Sequence, residues 1–374
     1  MDAMADRRRV ADRLPTFPWD RLAPHKATAA AHPDGSVDLS VGTPVDSVPA
    51  AVREALAAAA DSPGYPATYG TPELRAAAAD WSARRHGVRV EPAAVLPTVG
   101  SKEFVAWLPT LLGLGAGDTV VYPELAYPTY DVGIRMAGAD PVASDGLTAL
   151  GPAPVRLVWI NSPANPTGRV LGVEHLRKVV AWARERGAVV ASDECYIELG
   201  WEGEPPVSVL HPDVCGGSHE GLLALHSLSK RSNLAGYRAA FAVGDQALID
   251  ELLAVRKHAG MIVPGPVQAA MRAALDDDDH AAEQKARYGA RRSALRTALE
   301  AAGWEVTHSQ AGLYLWAAHP DHDAWEAVAL LARHGILVAP GDFYGPGGAR
   351  HVRVAFTASD ERVDAAVKRL GAAA

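Results

Sequence analysis

Ser227-Leu228-Ser229-Lys230, with Arg238 eight residues beyond the lysine, puts two hydroxyls, an amine and a guanidinium directly after an apolar run at residues 221–226. A lysine amine can condense with an aldehyde to form a Schiff base, while Ser227, Ser229 and Arg238 supply donors for the three oxygens of a phosphate. Together these requirements describe an aldehyde cofactor that carries a phosphate, as pyridoxal phosphate does. A surface loop with one lysine and two arginines has the same spelling, so the rest of the chain has to discriminate.

In open α/β sheets ligands collect outside the carboxyl ends of the strands, so polar residues that follow apolar runs are the candidates. Asp193 ends the run at residues 188–192, with Tyr196 three residues on. A carboxylate buried there can keep a pyridine nitrogen protonated and turn the ring into an electron sink; capping the next helix is its ordinary alternative. Asn165, in Asn161-Ser162-Pro163-Ala164-Asn165-Pro166-Thr167-Gly168, can donate an amide hydrogen to a phenolate oxygen, although the string is also a good turn. Gly100-Ser101-Lys102-Glu103 opens the helical stretch 104–112, where free amides of a helix N-terminus favour a phosphate and a plain serine cap competes. Tyr127 can stack on an aromatic cofactor or simply pack.

Other clusters read as structural. The glycines at 113, 115 and 117 follow a helix rather than a strand and mark its stop, not a dinucleotide fingerprint, and there is no P-loop. His319, His322 and Asp323 read as a polar loop rather than a metal site, and 276–279 as a solvated acidic helix boundary. No metal is expected. Cys195 and Cys215 cannot form a disulfide framework or a zinc site and read as plain thiols.

These residues must be positioned by a scaffold, and the chain alternates accordingly. Apolar or β-branched runs at 118–122, 156–160, 188–192, 222–225 and 239–243 alternate with amphipathic stretches such as 173–186, which Gly187 stops. This is the signature of βαβ units around a mostly parallel sheet. After Pro264 long helical stretches (267–275 and 280–302) and strands at 313–317 and 350–355 predict a separate α+β part. The expected organisation is a large domain at 41–265 and a small one from 1–40 and 266–374. With 374 residues, 48% of them hydrophobic, both cores can be filled. A net charge of −8 leaves no footprint for nucleic acid or an anionic membrane. Only Arg7-Arg8-Arg9 is locally basic, and no continuous apolar stretch follows it, so neither a signal peptide nor a transmembrane helix is expected and a cytoplasmic location is.

The order Gly42, Tyr65 to Gly70, Gly100-Ser101-Lys102, Tyr127, Asn165 to Gly168, Asp193 to Tyr196, Ser227 to Lys230, Arg238 and Arg353 resembles the class I/II aminotransferases of pyridoxal-phosphate fold type I. The resemblance implies that fold, pyridoxal 5'-phosphate as cofactor, and Lys230 as its Schiff-base partner. It further implies Asp193 at the pyridine nitrogen, Tyr196 and Asn165 at the ring oxygen, and Tyr127 on the ring. Ser101, Lys102, Ser227, Ser229 and Arg238 would hold the phosphate. Tyr65 would reach the phosphate of a neighbouring subunit, which implies a homodimer with shared sites. Arg353 would grip a substrate α-carboxylate, with Gly42 also on the substrate side.

Within the family, 17–20, 38–46, 123–131, 192–198 and 229–238 are most similar to the actinobacterial type of N-succinyldiaminopimelate aminotransferase. That likeness implies exchange of an amino group between glutamate and N-succinyl-2-amino-6-oxopimelate, on the route to diaminopimelate and lysine. Aminotransferases of aspartate, alanine or aromatic amino acids, a C–S lyase, and a cofactor-sensing regulator on the same fold stay open. Lys26, Arg169 and Lys257 are unranked candidates for the distal substrate groups.

Overall fold

The computed structural model describes residues 10–151 and 154–373; Arg7-Arg8-Arg9 lies outside them. Along the chain α1 (Ala23–Ala30) and β1 (Val37–Asp38) are followed by α2 (Ala50–Ala58) and α3 (Pro72–His86). A seven-stranded sheet then forms from β2 (Val95–Val99), β3 (Thr119–Tyr122), β4 (Asp140–Ala143), β5 (Val155–Asn161), β6 (Val189–Asp193), β7 (Leu222–Ser227) and β8 (Ala239–Gly244). Its spatial order is β2-β8-β7-β6-β5-β3-β4, and β8 alone runs against its neighbours. The mostly parallel sheet expected from the alternating runs is present.

Its strands are apolar without alternation because both faces are covered. Along β7, Leu222 and Ala224 enter the core on one face, while Leu223 and Leu225 enter the core on the other. The helices that cover it include α4 (Ser101–Leu111), α5 (Thr129–Ala137), α6 (Val173–Arg186) and α9 (Gln246–Ala259), with the short α7 (Pro212–Cys215) and α8 (Leu228–Arg231) between strands. Sequence signals set their ends. Thr71 Oγ1 caps α3 by accepting from Leu74 N at 3.2 Å, and Gly187, at φ 64°, stops α6 in a left-handed conformation that glycine adopts without strain.

α10 (Gly265–Asp276) packs against α2 and α3, and its Met271, Ala274 and Leu275 are in the large sheet's core. The periodicity after Pro264 therefore belongs first to the large layer, and the chain passes to the second core along α11 (Asp279–Ala301). That core lies on a four-stranded antiparallel sheet, β12-β13-β10-β9, made of β9 (Glu305–Thr307), β10 (Tyr314–Ala318), β12 (Ala339–Pro340) and β13 (His351–Ala355). α12 (Ala324–Arg333) and α13 (Asp360–Ala373) pack on it, and β11 (Ile336–Leu337) pairs in parallel with β1. Leu22, Ala29, Val37 and Leu39 from the N-terminal segment are buried in this same core.

Two clusters acquire definite roles here. Asp323 caps α12 in a reciprocal box with Glu326. Asp278 is not a purely solvated boundary: it pairs with Arg84 at 2.9 Å and with the buried Arg231 at 3.2 Å, because α11 begins beside α3 and α8.

Candidate active site

β5, β6 and β7 run parallel and end on one edge of the sheet at Asn161, Asp193 and Ser227, with Asn161 opposite Asp193. Because β8 is antiparallel, its first residues meet the ends of its neighbours: Ala239 is opposite Val99 and Ala240 opposite Ser227. Arg238 is thereby delivered to the same edge. It adopts φ 57°, and its guanidinium lies over Gly100, where a Cβ would collide with it. Ser101 follows as the first residue of α4, and Lys102 is exposed in that turn. Ser227 Oγ accepts from Ser229 N at 3.2 Å, which starts α8 and leaves the Ser227 hydroxyl hydrogen to donate elsewhere. Half-buried Lys230 sits in this short helix, and its charge is felt by Asp193, Cys195 and Tyr314.

Burial pushes the Asp193 carboxyl above its ordinary range, against the hydrogen bonds of Cys195 and Tyr130 and the charge of Lys230. Tyr130 donates to Oδ2 at 2.9 Å and Cys195 N to Oδ1 at 3.2 Å. Such a carboxylate is desolvated and held in place, conditions that favour pairing with a protonated ring nitrogen. Asn161 braces it, donating to Asp193 O at 3.0 Å and accepting from Asn165 N at 2.8 Å.

Asn165 in turn accepts from Arg353 Nη1 at 2.9 Å, so its amide nitrogen is the end left to donate. Arg353 Nη2 donates to Ser40 O at 2.7 Å. The guanidinium carbon lies 3.9 Å from the ring of Tyr314 and 4.7 Å from that of Tyr344, and Nε has no partner. The side chain is only 2% exposed, and its hydrogen-bond partners are neutral carbonyls rather than a carboxylate. A buried cation so placed gains from an incoming anion, and its planar fork suits a carboxylate.

Tyr127 packs edge-on against Tyr130 at 5.9 Å, and burial pushes its phenol up to about 12. Tyr196 brings its hydroxyl 3.2 Å from that of Tyr314. A Cβ on Gly42 would meet Tyr314 Cε1 at 2.7 Å, so this position has no room for a side chain. Tyr65 is different. It is fully exposed (101%) and is not brought to the site by its own chain.

Tyr130, Asn161, Tyr314 and Tyr344 also shape the site and were not among the sequence candidates. Tyr130 and Asn161 lie inside recognised strings, one helical turn beyond Tyr127 and four residues before Asn165. Tyr314 and Tyr344 come from the second core and carry no local motif.

Directly behind Asp193, Glu194 is 1% exposed. Its Oε1 accepts from Val209 N at 2.8 Å, whereas Oε2 is unpartnered and 3.7 Å from His226 Nε2. This is not an ion pair, since burial and nearby His86 hold His226 well below the ordinary histidine range. Burial raises Glu194 to about 7. The folded protein thus keeps a proton between the ordinary glutamate value near 4.5 and about 7 that the unfolded chain has lost. Stability from this group is full below the lower value and falls as pH rises through the upper one, by on the order of 3 kcal/mol in all. Chemical denaturation across pH 5 to 8 should show this slope in the wild type and its flattening in Glu194→Gln; parallel curves would contradict it.

The donor set suits a phosphorylated pyridine aldehyde: an amine, a buried carboxylate, an amide-bearing asparagine, and serines and an arginine around a glycine cradle that a Cβ would fill. Known proteins agree. The family model for aminotransferase class I and II matches residues 34–370. A probable aminotransferase of Mycobacterium tuberculosis is 65% identical over 362 residues, covering 96% of this chain and 86% of its own. The 4-dedimethylamino-4-oxo-anhydrotetracycline transaminase OxyQ of Streptomyces rimosus is 62% identical over 357 residues, covering 96% and 99%. Among solved structures, a probable N-succinyldiaminopimelate aminotransferase from Thermus thermophilus superposes with a TM-score of 0.85 at 30% identity, over 96% of this chain and all (100%) of that one. No helix among the described residues is long and apolar enough to cross a membrane. The chain is a member of the class I and II aminotransferases, with their fold type I architecture and their cofactor, pyridoxal 5'-phosphate.

Proposed function

We propose that the protein exchanges an amino group between glutamate/2-oxoglutarate and N-succinyl-LL-2,6-diaminopimelate/N-succinyl-2-amino-6-oxopimelate. The observation that carries this reading is Arg353, a buried guanidinium without a carboxylate partner, held by two tyrosine faces on the same side of the molecule as Lys230. Both amino acids carry a carboxylate beside the reacting carbon, so one arginine serves both halves of the exchange. The structural likeness to the Thermus protein and the resemblance of the motif strings support the acylated diaminopimelate.

Bound pyridoxal phosphate supplies a carbon that takes up the amino group and a conjugated ring that spreads the charge left at the substrate α-carbon. Lys230 Nζ would hold the cofactor through its aldehyde carbon and, when free, would be the base that takes and returns the proton of the substrate α-carbon. Asp193 would keep the ring nitrogen protonated, Tyr196 and Asn165 Nδ2 would donate to the ring oxygen, and Tyr127 would stack on the ring. Ser101, Lys102, Ser227, Ser229 and Arg238 would bind the phosphate, and Gly42 would lie on the substrate side. The large domain of this reading is 41–265 and the small one 1–40 with 266–374, α10 excepted.

Fully exposed Tyr65 belongs to this scheme only if a second copy of the chain receives it, which makes the enzyme a homodimer with composite sites. Loss of one hydrogen bond to a charged phosphate is expected to weaken cofactor binding by about 10- to 100-fold in Tyr65→Phe. Titrating apoprotein with the cofactor measures this, and light scattering gives the mass. A fully active monomer would remove Tyr65 from the site.

The 62% identity to OxyQ favours a second reading, amino transfer to a polycyclic ketone. Glutamate-dependent turnover of N-succinyl-2-amino-6-oxopimelate, compared with 4-dedimethylamino-4-oxo-anhydrotetracycline, discriminates the two. A higher kcat/KM for the acylated keto acid supports the first reading, and turnover of the polycycle alone replaces it.

A further inference from the structure

Three parts of the chain that are remote in sequence converge on Tyr314. The hydroxyl of Tyr196, which follows β6, is 3.2 Å from its own. Arg353 of β13 stacks on its ring at 3.9 Å. The backbone at Gly42, beyond β1, passes so close that a Cβ would come within 2.7 Å of Cε1 and closer still to the hydroxyl oxygen. A phenyl ring would keep the stacking on Arg353, whereas the approach to Gly42 involves the hydroxyl oxygen as well as the ring edge. Burying a phenol costs free energy unless it is hydrogen-bonded, and this hydroxyl has Tyr196 as its partner.

We propose that Tyr314 is a positioning residue for amino transfer: its hydroxyl donates to Tyr196 and so aims the Tyr196 hydrogen at the cofactor, while its ring ties that bond to the occupancy of Arg353. The inference rests on the aminotransferase reading above.

Each hydroxyl carries one hydrogen, so the direction of donation follows from where Tyr196 directs its own. Burial is the largest influence on Tyr314 and raises it, yet Arg353, Lys230 and the Tyr196 bond together bring its phenol below the ordinary value. Tyr196 is held well above that value by burial and by Tyr314 itself. The remaining titratable groups facing the pair, Cys195, Tyr127 and Tyr344, are each raised by burial and stay neutral near pH 7. Tyr196 has a single hydrogen, which the reading above gives to the cofactor's ring oxygen, so Tyr314 is the donor between the two hydroxyls and Tyr196 accepts. A carboxylate on Arg353 neutralises the cation that makes Tyr314 acidic, weakens the donation, and so reports substrate arrival to Tyr196.

The test uses Tyr314→Phe, which keeps the ring against Arg353 and removes the oxygen that faces Tyr196 and Gly42. In apoprotein, the alkaline absorbance titration of the wild type minus that of the variant should show one phenol ionising below the ordinary tyrosine value of about 10. In the holoenzyme, the spectral pH midpoint of the lysine-bound cofactor should move by about half a unit or more in the variant. Succinate, an inert dicarboxylate that can occupy Arg353, should shift the wild-type midpoint and leave that of Tyr314→Phe in place. The kcat should fall about three- to tenfold with KM for glutamate changed by less than about twofold, which loss of packing alone would not produce. In a Tyr196→Phe background, Tyr314→Phe should have no further effect on the midpoint. Unchanged midpoints, or independent effects of the two replacements, would overturn the proposal. Its failure is separable from that of the parent reading, because the apoprotein titration needs no substrate and amino transfer is scored in the wild type alone.

Discussion

Lys230→Ala is expected to lower amino transfer by at least about a thousandfold while the protein stays folded, since it removes both the covalent anchor and the proton carrier. The fold should hardly notice. Lys230 is half-buried in a four-residue helix, alanine suits a helix, and the bond from Tyr288 reaches the backbone carbonyl of residue 230 rather than its side chain. A change within about 1 kcal/mol of unfolding free energy is the expectation. Denaturant melts check the fold, and multiple-turnover kinetics check the chemistry. Sustained turnover in the variant would show that another group moves the proton.

Arg353→Lys is expected to lower kcat/KM by roughly a hundredfold or more, chiefly through KM, for the amino donor and for the keto-acid acceptor alike. Charge is kept, but a lysine has no planar fork. It cannot donate to Asn165 Oδ1 and Ser40 O while presenting two parallel N–H groups to a carboxylate, as an arginine between Tyr314 and Tyr344 can. One of those buried carbonyls also loses its partner, which would disturb Asn165 at the cofactor as well. Steady-state kinetics with each substrate varied in turn measures both effects. If only one half of the exchange suffers, the two substrates do not share this arginine.

Why some of this could be read from the chain, and some not, is physical. β6, β7, β8 and the part of β5 after the exposed Arg156 are covered on both faces, so their sequences are largely apolar runs that announce themselves. The polar residue after each run then has a known place, which is how Asp193 and Ser227 could be assigned to one edge; Arg238 stands before its run and reaches that edge because β8 is antiparallel. β4 gave no such signal, because at the sheet edge Asp140 and Ala143 face solvent and Pro141 interrupts the pattern. α3 was passed over for a related reason: its buried face is made largely of alanines, so it lacks a stripe of large apolar residues. α10 was placed with the C-terminal part because periodicity identifies a helix without saying which layer it covers. Tyr314 and Tyr344 enter the site through the second core, and no local spacing encodes a contact with Arg353. Asp278 likewise finds Arg231 across 47 positions, a pairing invisible in an acidic run.

The most direct measurement is an absorbance titration of the purified holoenzyme, first with N-succinyl-LL-diaminopimelate and then with 2-oxoglutarate. Conversion of the lysine-bound cofactor band to that of the aminated cofactor, reversed by 2-oxoglutarate, is the expected result and establishes both halves of the exchange in one cuvette. No conversion with that amine, alongside full cycles with a different amino donor, would contradict the acylated diaminopimelate as substrate; no conversion with any amino donor would contradict amino transfer by this site altogether.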